Sequence, residues 1–203
     1  MLITHFNYKS YKVKTLVHVG ANVGEELDFY KSIGINRIYF FEPRPDAIEG
    51  LYENCKYFRR DIDITILPFG LGSDNDEKFL YEGSQSSSFL LPKTHLDLYP
   101  DIKFNHNTQT SFSVRRGDAV LPKNLNIDIL VLDTQGYELE VLKGMGNLLN
   151  TTKIICTEFF TEELYEGCPT IDHMDSFLYA HRFKRAEAVI VPQKWGDALY
   201  VKQ

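Results

Sequence analysis

Short apolar runs that alternate with helix-like segments constrain the fold of this chain more than any other feature of its sequence. The runs are rich in Val, Ile, Leu and Phe, as buried strands of a parallel sheet are, and helical periodicity separates the first few. The five runs predicted to be such strands are residues 15–20, 37–42, 64–69, 127–132 and 153–159. This alternation predicts an α/β fold built from βαβ units.

Helices are predicted between and after these strands, and a hairpin is predicted beyond them. The predicted helices are residues 25–33, a segment that begins after Pro45 and reaches Cys55, residues 139–149 and residues 171–182. Gly34 can end the first helix in the left-handed conformation that glycine adopts readily. The apolar runs 186–191 and 197–202 flank a turn at 194–196, so we expect an antiparallel hairpin to close the sheet.

The regular alternation lapses at about residues 72–125. Gly, Ser, Asn and Asp there separate two short strand candidates, residues 78–81 and 111–114. A chain of 203 residues with 43% hydrophobic content fits one domain, so we interpret residues 1–203 as a single domain that carries an insertion. Because loops at the rim of an α/β scaffold commonly carry specificity, we expect this insertion to cover the substrate.

Charge and cysteine content narrow the functional classes. A net charge of −6 provides no general cationic field for nucleic acid or an anionic membrane. The cysteines Cys55, Cys156 and Cys168 are widely spaced, which indicates neither a disulfide framework nor a zinc site. No apolar run approaches the roughly 20 residues that span a bilayer, and no signal-peptide pattern is present. We therefore expect a soluble cytoplasmic protein without nucleic-acid or membrane partners, and assign no oligomeric state.

A glycine loop follows the first predicted strand directly. Its sequence is Val19-Gly20-Ala21-Asn22-Val23-Gly24, and glycines at such a position let a ligand approach the backbone closely. The spacing is Gly-x-x-x-Gly, whereas dinucleotide sites have Gly-x-Gly-x-x-Gly. By itself the loop indicates a cofactor site or an ordinary strand-to-helix turn equally well.

A carboxylate at the end of the second predicted strand favours the cofactor interpretation. Glu42 ends that strand and precedes Pro43. An acid about 20 residues beyond a glycine loop is the arrangement that binds the ribose hydroxyls of adenosine-type cofactors. A solvated strand-end acid is the alternative.

Three motifs in this order resemble the FkbM-type methyltransferases. They are Val-Gly-Ala-Asn-Val-Gly at 19–24, Phe-Glu-Pro at 41–43 and Asp-Thr-Gln-Gly-Tyr-Glu-Leu-Glu-Val-Leu-Lys-Gly at 133–144. The resemblance runs from Leu16 to about Glu163 and ends with a matching C-terminal hairpin. It implies a class I methyltransferase, Rossmann-like fold: a seven-stranded, mostly parallel sheet with helices on both faces and a C-terminal antiparallel hairpin. It also implies S-adenosylmethionine as cofactor and O-methylation, frequently of a sugar, glycan or similar small-molecule hydroxyl.

The same resemblance implies which residues contact the cofactor. Those implied contacts are Gly20, Ala21, Asn22 and Gly24 at the methionine end, Glu42 and Pro43 at the ribose, Pro68, Phe69, Gly70 and Leu71 near adenine, and Asp133 facing the cofactor. Two positions depart from the family pattern. His18 stands where an acid is usual, which leaves its contact with the methionine portion open, and Gln135 stands where glutamate is commoner.

Carboxylates at the later strand ends are candidates for the chemistry. Methylation of a hydroxyl requires alignment of the nucleophile and removal of its proton. Asp133 is the first candidate base, and Glu158, at the end of the next strand, can share a proton or orient the acceptor. Glu138 is catalytic or stabilises the N-terminus of the following helix. Gln135 and Tyr137 bind substrate or shape the turn.

The insertion contributes further substrate-binding candidates. His95 and His106 can each take a hydroxyl proton, or can be solvent-facing loop residues. Ser87 and Ser88 belong to a serine-rich segment that either folds over the cofactor or acceptor or remains a flexible polar loop.

A metal and two other functions are the remaining alternatives. Asp133, Glu138 and Glu158 offer oxygen ligands that Mg²⁺ accepts. Because Gln135 replaces a glutamate that is commoner in the family, this chain has one carboxylate fewer at these strand ends, which favours metal-independent activity. An NAD-dependent oxidoreductase has a similar sheet, yet its glycine fingerprint is missing. A non-catalytic cofactor-binding module is disfavoured because Asp133 and Glu158 are retained.

Overall fold

The computed structural model describes residues 4–104 and 110–203, which form two sheets. The strands are β1 Thr15–Val19, β2 Arg37–Phe41, β3 Asp63–Leu67, β4 Gly70–Leu71, β5 Asp76–Phe79, β6 Ser111–Arg115, β7 Ile129–Leu132, β8 Ile154–Phe160, β9 Phe183–Ile190 and β10 Trp195–Lys202. The main sheet has seven strands in the order β3-β2-β1-β7-β8-β10-β9. The first five in this order are parallel, and β10 pairs antiparallel with both β8 and β9. The expected seven-stranded, mostly parallel sheet with its antiparallel hairpin is confirmed.

Six helices lie in the described residues. They are α1 Leu27–Ile33, α2 Pro45–Cys55, α3 His95–Leu98, α4 Gly117–Val120, α5 Glu138–Met145 and α6 Ile171–Ala180, with 3-10 turns at Tyr8–Tyr11 and Gly146–Asn150. Four of these helices, α1, α2, α5 and α6, cover the two faces of the main sheet. Successive strand residues point to opposite faces, so Leu16 packs with α1 and α2, whereas Val17 packs with α5 and α6. None of these helices has the length and apolar character needed to cross a membrane.

The predicted helix 139–149 is interrupted in the structure. Helix α5 stops at Met145, and the chain continues as the 3-10 turn Gly146–Asn150. Gly146 has φ 49° and ψ −126°, which lies outside the helical region and is accessible because glycine lacks a Cβ. Gly34 ends α1 in the left-handed conformation, as the sequence predicts.

The segment at about 72–125 contributes most of the second, three-stranded sheet, in the order β4-β6-β5. Strand β6 pairs antiparallel with β5 and parallel with β4. The two strand candidates of this segment are therefore partners, which the sequence analysis did not anticipate. That the segment covers a substrate stays a prediction.

Candidate active site

A cavity of about 370 Å³ opens where β1, β2, β7 and β8 end. Ligand crevices of open α/β sheets lie at this edge, and the volume falls within the range of about 300–1,000 Å³ usual for small-molecule sites. The predicted site residues on its wall are Gly20, Ala21, Asn22, Glu42, Pro43, Gly70, Leu71, Ser87, His95, Asp133, Gln135, Tyr137 and Glu158. The structure thus brings most of the predicted residues to one place.

The glycine loop crosses the end of β7 at very close range. Gly20 has φ +80°, and a Cβ built on it would lie 1.8 Å from the carbonyl oxygen of Asp133. The amides of Gly20 and Ala21 both donate to the Phe41 carbonyl, at 2.9 and 3.1 Å. Only glycine fits this junction, which joins the ends of three strands around the cavity.

Gly24 packs closely against α2, and the cofactor contact that the family resemblance implies for it stays a prediction. It is absent from the cavity wall, and a Cβ at this position would lie 2.6 Å from Cδ1 of Leu51 on α2. Its φ is +72°. The second glycine therefore allows α2 to pack closely against the loop.

The Glu42 carboxylate is buried and held in a fixed orientation at the tip of β2. Its Oε2 accepts a hydrogen bond from the Asn22 amide at 2.9 Å, and its Oε1 accepts one from the Arg44 amide at 3.0 Å. Burial raises its pKa, while these two bonds act in the opposite direction. Each carboxylate oxygen can accept a further hydrogen bond, so the group can receive a pair of neighbouring hydroxyls.

Gln135 links the two carboxylates at the ends of β7 and β8. Its Nε2 donates to Asp133 Oδ1 at 2.9 Å and to Glu158 Oε2 at 2.8 Å. Its Oε1 accepts from the Tyr165 hydroxyl at 3.0 Å, which fixes the orientation of the amide. The backbone of Gln135 is left-handed, with φ +52°. Asp133 and Glu158 are thereby positioned side by side on the cavity wall.

Burial makes both of these carboxyl groups weaker acids than usual. It raises the pKa of Asp133, against the opposing effects of the Gln135 hydrogen bond and the neighbouring His18. It raises the pKa of Glu158 well above its ordinary value, and the charges of Asp133 and Glu138 raise it further. A raised pKa brings a carboxylate closer to the range in which it accepts a hydroxyl proton effectively.

Glu138 holds the turn that follows β7 and does not line the cavity. Its Oε1 accepts from the amide and hydroxyl of Thr134, at 2.8 and 3.0 Å, and from the Gly136 amide at 3.2 Å. Its Oε2 is buried without a hydrogen-bond partner. Burial raises the pKa of Glu138 to about 7, and the charge of Asp133 adds to the effect. These contacts favour a structural task over the catalytic one considered from the sequence.

The raised pKa of Glu138 predicts a pH-dependent loss of stability. The folded state binds this proton more tightly than the unfolded state, so the stabilisation is complete below the unfolded pKa and disappears as pH rises through about 7. We expect the unfolding free energy of the wild type to fall from about pH 5 to about pH 8 by on the order of 3 kcal/mol more than that of Glu138→Gln. Urea unfolding across this range measures the difference. Parallel pH profiles for the two proteins would contradict the assignment.

His18 occupies the place of the usual family acid, and it is neutral. Burial lowers its pKa to about 4, although the charge of Asp133 acts in the opposite direction. Its Nδ1 lies 3.1 Å from the Tyr30 hydroxyl, and the residue lines the cavity. An uncharged imidazole therefore replaces a carboxylate on this wall.

A cluster of four rings and one leucine, which we call the aromatic end, lines another part of the cavity. It consists of His95, Tyr99, Phe160 and Trp195 together with Leu164. The Trp195 indole N–H donates to the Tyr99 hydroxyl at 2.7 Å, which links the hairpin to the residue after α3. Nδ1 of His95 is buried without a hydrogen-bond partner.

Some predicted residues lie away from the cavity wall. Besides Gly24 and Glu138, these are Pro68, Phe69 and Ser88. Ser88 is buried, and its hydroxyl donates to the Gln135 carbonyl at 2.7 Å, so it supports the turn that follows Asp133. His106 lies outside the described residues.

Several residues of the wall are not among those predicted from the sequence. Arg44, Glu25, Glu26, Phe160 and Trp195 all line the cavity. A signal existed for some of them, since Arg44 follows the Phe-Glu-Pro motif, the two glutamates follow the glycine loop, and Trp195 is the sole tryptophan of the sequence. In residues 4–104 and 110–203, no three His, Cys, Asp or Glu side chains are grouped so as to hold a metal ion.

Comparisons with known proteins identify similar sequences and a similar fold. The profile of the methyltransferase FkbM domain matches residues 18–185. The 2-O-methyltransferase NoeI of Sinorhizobium fredii is 27% identical in an alignment 183 residues long, which covers 84% of this chain and 74% of that protein. The hexuronic acid methyltransferase AglP of Haloferax volcanii is 27% identical over 140 residues, which are 69% of this chain but 53% of that protein.

A solved structure supports the fold independently. The crystal structure of a methyltransferase FkbM from Methylobacillus flagellatus KT superposes with a TM-score of 0.65 at 15% sequence identity. The alignment covers 93% of this chain and 43% of the other, so this chain spans less than half of that protein. At this identity the similarity establishes a common fold.

Proposed function

Because this chain belongs to the FkbM family of methyltransferases, we propose that it transfers a methyl group from S-adenosylmethionine to a hydroxyl of a sugar, glycan or similar small molecule. The observation that carries this proposal is that Glu42 and Asp133 line one cavity. The relatives NoeI and AglP, a 2-O-methyltransferase and a hexuronic acid methyltransferase, support O-methylation of a carbohydrate.

The residues at one side of the cavity suit this cofactor. The free hydrogen-bonding capacity of Glu42 matches a ribose diol, and the backbone of residues 20–22 would contact the methionine portion. Pro43, Gly70 and Leu71 provide an apolar wall for adenine. When bound, S-adenosylmethionine supplies an electrophilic methyl group and a positive charge, which the nearby carboxylates of Glu25 and Glu26 complement.

The other side of the cavity would prepare the acceptor. Asp133 accepts the proton of the attacking hydroxyl, since its pKa is raised and one carboxylate oxygen has no bond to Gln135. Glu158 orients the acceptor beside Asp133, and Gln135 holds the two carboxylates next to each other by donating a hydrogen bond to each. The rings of the aromatic end exclude water and hold the acceptor near Asp133. No metal is required for these steps.

Acceptor profiling tests the proposed reaction. Incubation with labelled S-adenosylmethionine and a panel of saccharides, phenols and peptides, in the presence of EDTA, should place label on a saccharide hydroxyl, as read by mass spectrometry. Label confined to protein or nucleic acid would reject a small acceptor. Complete loss of turnover in EDTA, with recovery in Mg²⁺, would reject the metal-independent mechanism.

Calorimetry tests the cofactor site separately. We expect the wild type to bind S-adenosylmethionine and S-adenosylhomocysteine but not NADH. Glu42→Gln should weaken both affinities by about 10- to 100-fold, the value of one or two hydrogen bonds to a charged group. Glu140→Gln, a change on the outer surface of α5, is the control and should bind normally. Binding of NADH by the wild type would favour an oxidoreductase.

A further inference from the structure

The aromatic end of the cavity has the chemistry of a sugar-binding surface. Trp195 and Tyr99 are joined by their hydrogen bond, so both rings are held in place. The ring of His95 lies 4.9 Å from that of Tyr99 and 5.1 Å from that of Tyr165. The unpartnered Nδ1 of His95 is a buried hydrogen-bonding atom in the same cluster. Buried polar atoms without partners are rare in native proteins, which indicates that a ligand hydroxyl forms the missing hydrogen bond to this nitrogen.

No Lys or Arg side chain lies on the described cavity wall at this end, and the neighbouring Lys93, Lys103 and Lys194 all lie outside that wall. The charged residues on the described cavity wall are the acids Glu25, Glu26, Glu42, Asp133 and Glu158 and a single base, Arg44. Burial lowers the pKa of both histidines of the wall, so they are neutral near pH 7. The undescribed residues 105–109 contain neither Lys nor Arg.

Arg44 follows β2 and already has partners. Four strand spacings, about 19 Å between backbones, separate β2 from β10, which Trp195 begins. The Arg44 guanidinium forms an ion pair with Asp46 and donates to the Ser84 carbonyl at 2.5 Å. Lys194 precedes Trp195 in sequence, but its Nζ lies 3.8 Å from the Glu162 carboxylate and it does not line the cavity.

We propose that the acceptor is an uncharged pyranose, and that this site discriminates against hexuronates and other anionic sugars. This inference rests on the proposed function, since it concerns the acceptor of the same reaction. The apolar C–H face of the sugar stacks on the Trp195 and Tyr99 rings, and one of its hydroxyls donates to His95.

The exclusion of anions follows from the cost of burying an unpaired charge. A sugar carboxylate at the aromatic end would lose its water among aromatic rings without gaining a cationic partner. Proteins that bind sugar or phosphate anions supply an arginine or lysine at the contact, and the described wall offers none there. A neutral hydroxymethyl or methyl substituent meets no such penalty.

Matched acceptors test this proposal on the unmodified protein. Nitrophenyl glycosides of glucose, galactose and mannose are each compared with the corresponding uronide and with the uronide methyl ester, which restores neutrality at similar shape. Methyl transfer is measured by mass spectrometry, and binding to the protein loaded with S-adenosylhomocysteine is measured by ligand-observed NMR. We expect the preferred neutral glycoside and its ester analogue to exceed the uronide by at least about 100-fold in kcat/KM.

Three variants separate charge from shape. Tyr99→Arg places a cation at the aromatic end, and we expect it to reduce the preference for the neutral glycoside by about tenfold or more. Tyr99→Gln is the neutral control and should retain the preference even if overall activity falls. Lys194→Gln should also retain it, because Lys194 lies outside the cavity. A Tyr99→Arg variant that retains the full preference would count against the charge argument.

The outcomes distinguish this inference from the proposed function. Transfer to a uronide at a rate equal to or above that of its neutral partner would overturn the inference and leave the O-methyltransferase proposal intact. Selective binding of neutral glycosides without methyl transfer to any sugar would support the selectivity of the site against anions and overturn the proposed reaction. Absence of any sugar binding would overturn the inference together with the sugar acceptor of the proposed function.

Discussion

The Asp133→Asn variant is expected to lose methyl transfer by about 100- to 10,000-fold while it still binds S-adenosylmethionine, because removal of a general base has an effect of this size. Asparagine preserves the shape of the side chain and can still accept the Gln135 hydrogen bond that Asp133 Oδ1 receives. It cannot accept the hydroxyl proton. Single-turnover kinetics with a confirmed acceptor, together with calorimetry of cofactor binding, measure the two effects separately.

The controls for this prediction lie on the same strand ends and on α5. Glu158→Gln should reduce the rate less than Asp133→Asn, since Glu158 is assigned to orientation of the acceptor, and Glu140→Gln should leave it unchanged. Wild-type rates in both Asp133→Asn and Glu158→Gln would exclude these carboxylates from the chemistry. His95 would then be the next candidate for the base, since its Nδ1 is buried and unpartnered.

The Gly20→Ala variant is expected to be destabilised by about 4 kcal/mol, because it combines backbone strain with an overlap in the packed interior. The added Cβ would lie 1.8 Å from the Asp133 carbonyl oxygen, at a residue whose φ is +80°. Relief of this overlap must move the end of β7, so we also expect the remaining folded protein to lose activity. Urea unfolding monitored by circular dichroism gives the change in stability.

Two other glycines separate the causes of this effect. Gly167 has φ +73° but nothing within 4 Å of an added Cβ, so Gly167→Ala should cost about 1 kcal/mol, the strain of the left-handed backbone alone. Gly144 lies in α5, where an added Cβ would be 1.9 Å from the Gly72 carbonyl oxygen. The loss of stability in Gly144→Ala therefore measures the effect of steric overlap without that of a left-handed backbone. Equal losses in Gly20→Ala and Gly167→Ala would show that the strand junction tolerates a methyl group.

The sequence predicts the main sheet well because local patterns carry that information. The apolar runs at 15–20 and 153–159 are buried on both faces, and their ends place Gly20 and Glu158 at one edge without knowledge of side-chain packing. The same reasoning brings Glu42 and Asp133 to the cavity wall.

What the sequence does not predict depends on contacts between distant residues. Strands β5 and β6 pair across more than thirty intervening residues, and Trp195 bonds to Tyr99 across 96 positions. Neither pairing leaves a periodic signal. The direction of the Glu138 side chain depends on the backbone of the turn at 134–136, where Gln135 and Gly136 both have positive φ. The sequence motif therefore does not show whether Glu138 lines the cavity or holds the turn behind it.

The position of β10 inside the sheet has a consequence for the order of assembly. This strand follows β9 in the chain but lies between β8 and β9, so β8 presents an open edge until the hairpin has been synthesised and docked. Trp195 arrives with β10, whereas the other cavity-lining residues precede β9 in the chain. During translation, the segments proposed to hold the methyl donor are therefore synthesised before the strand that carries Trp195.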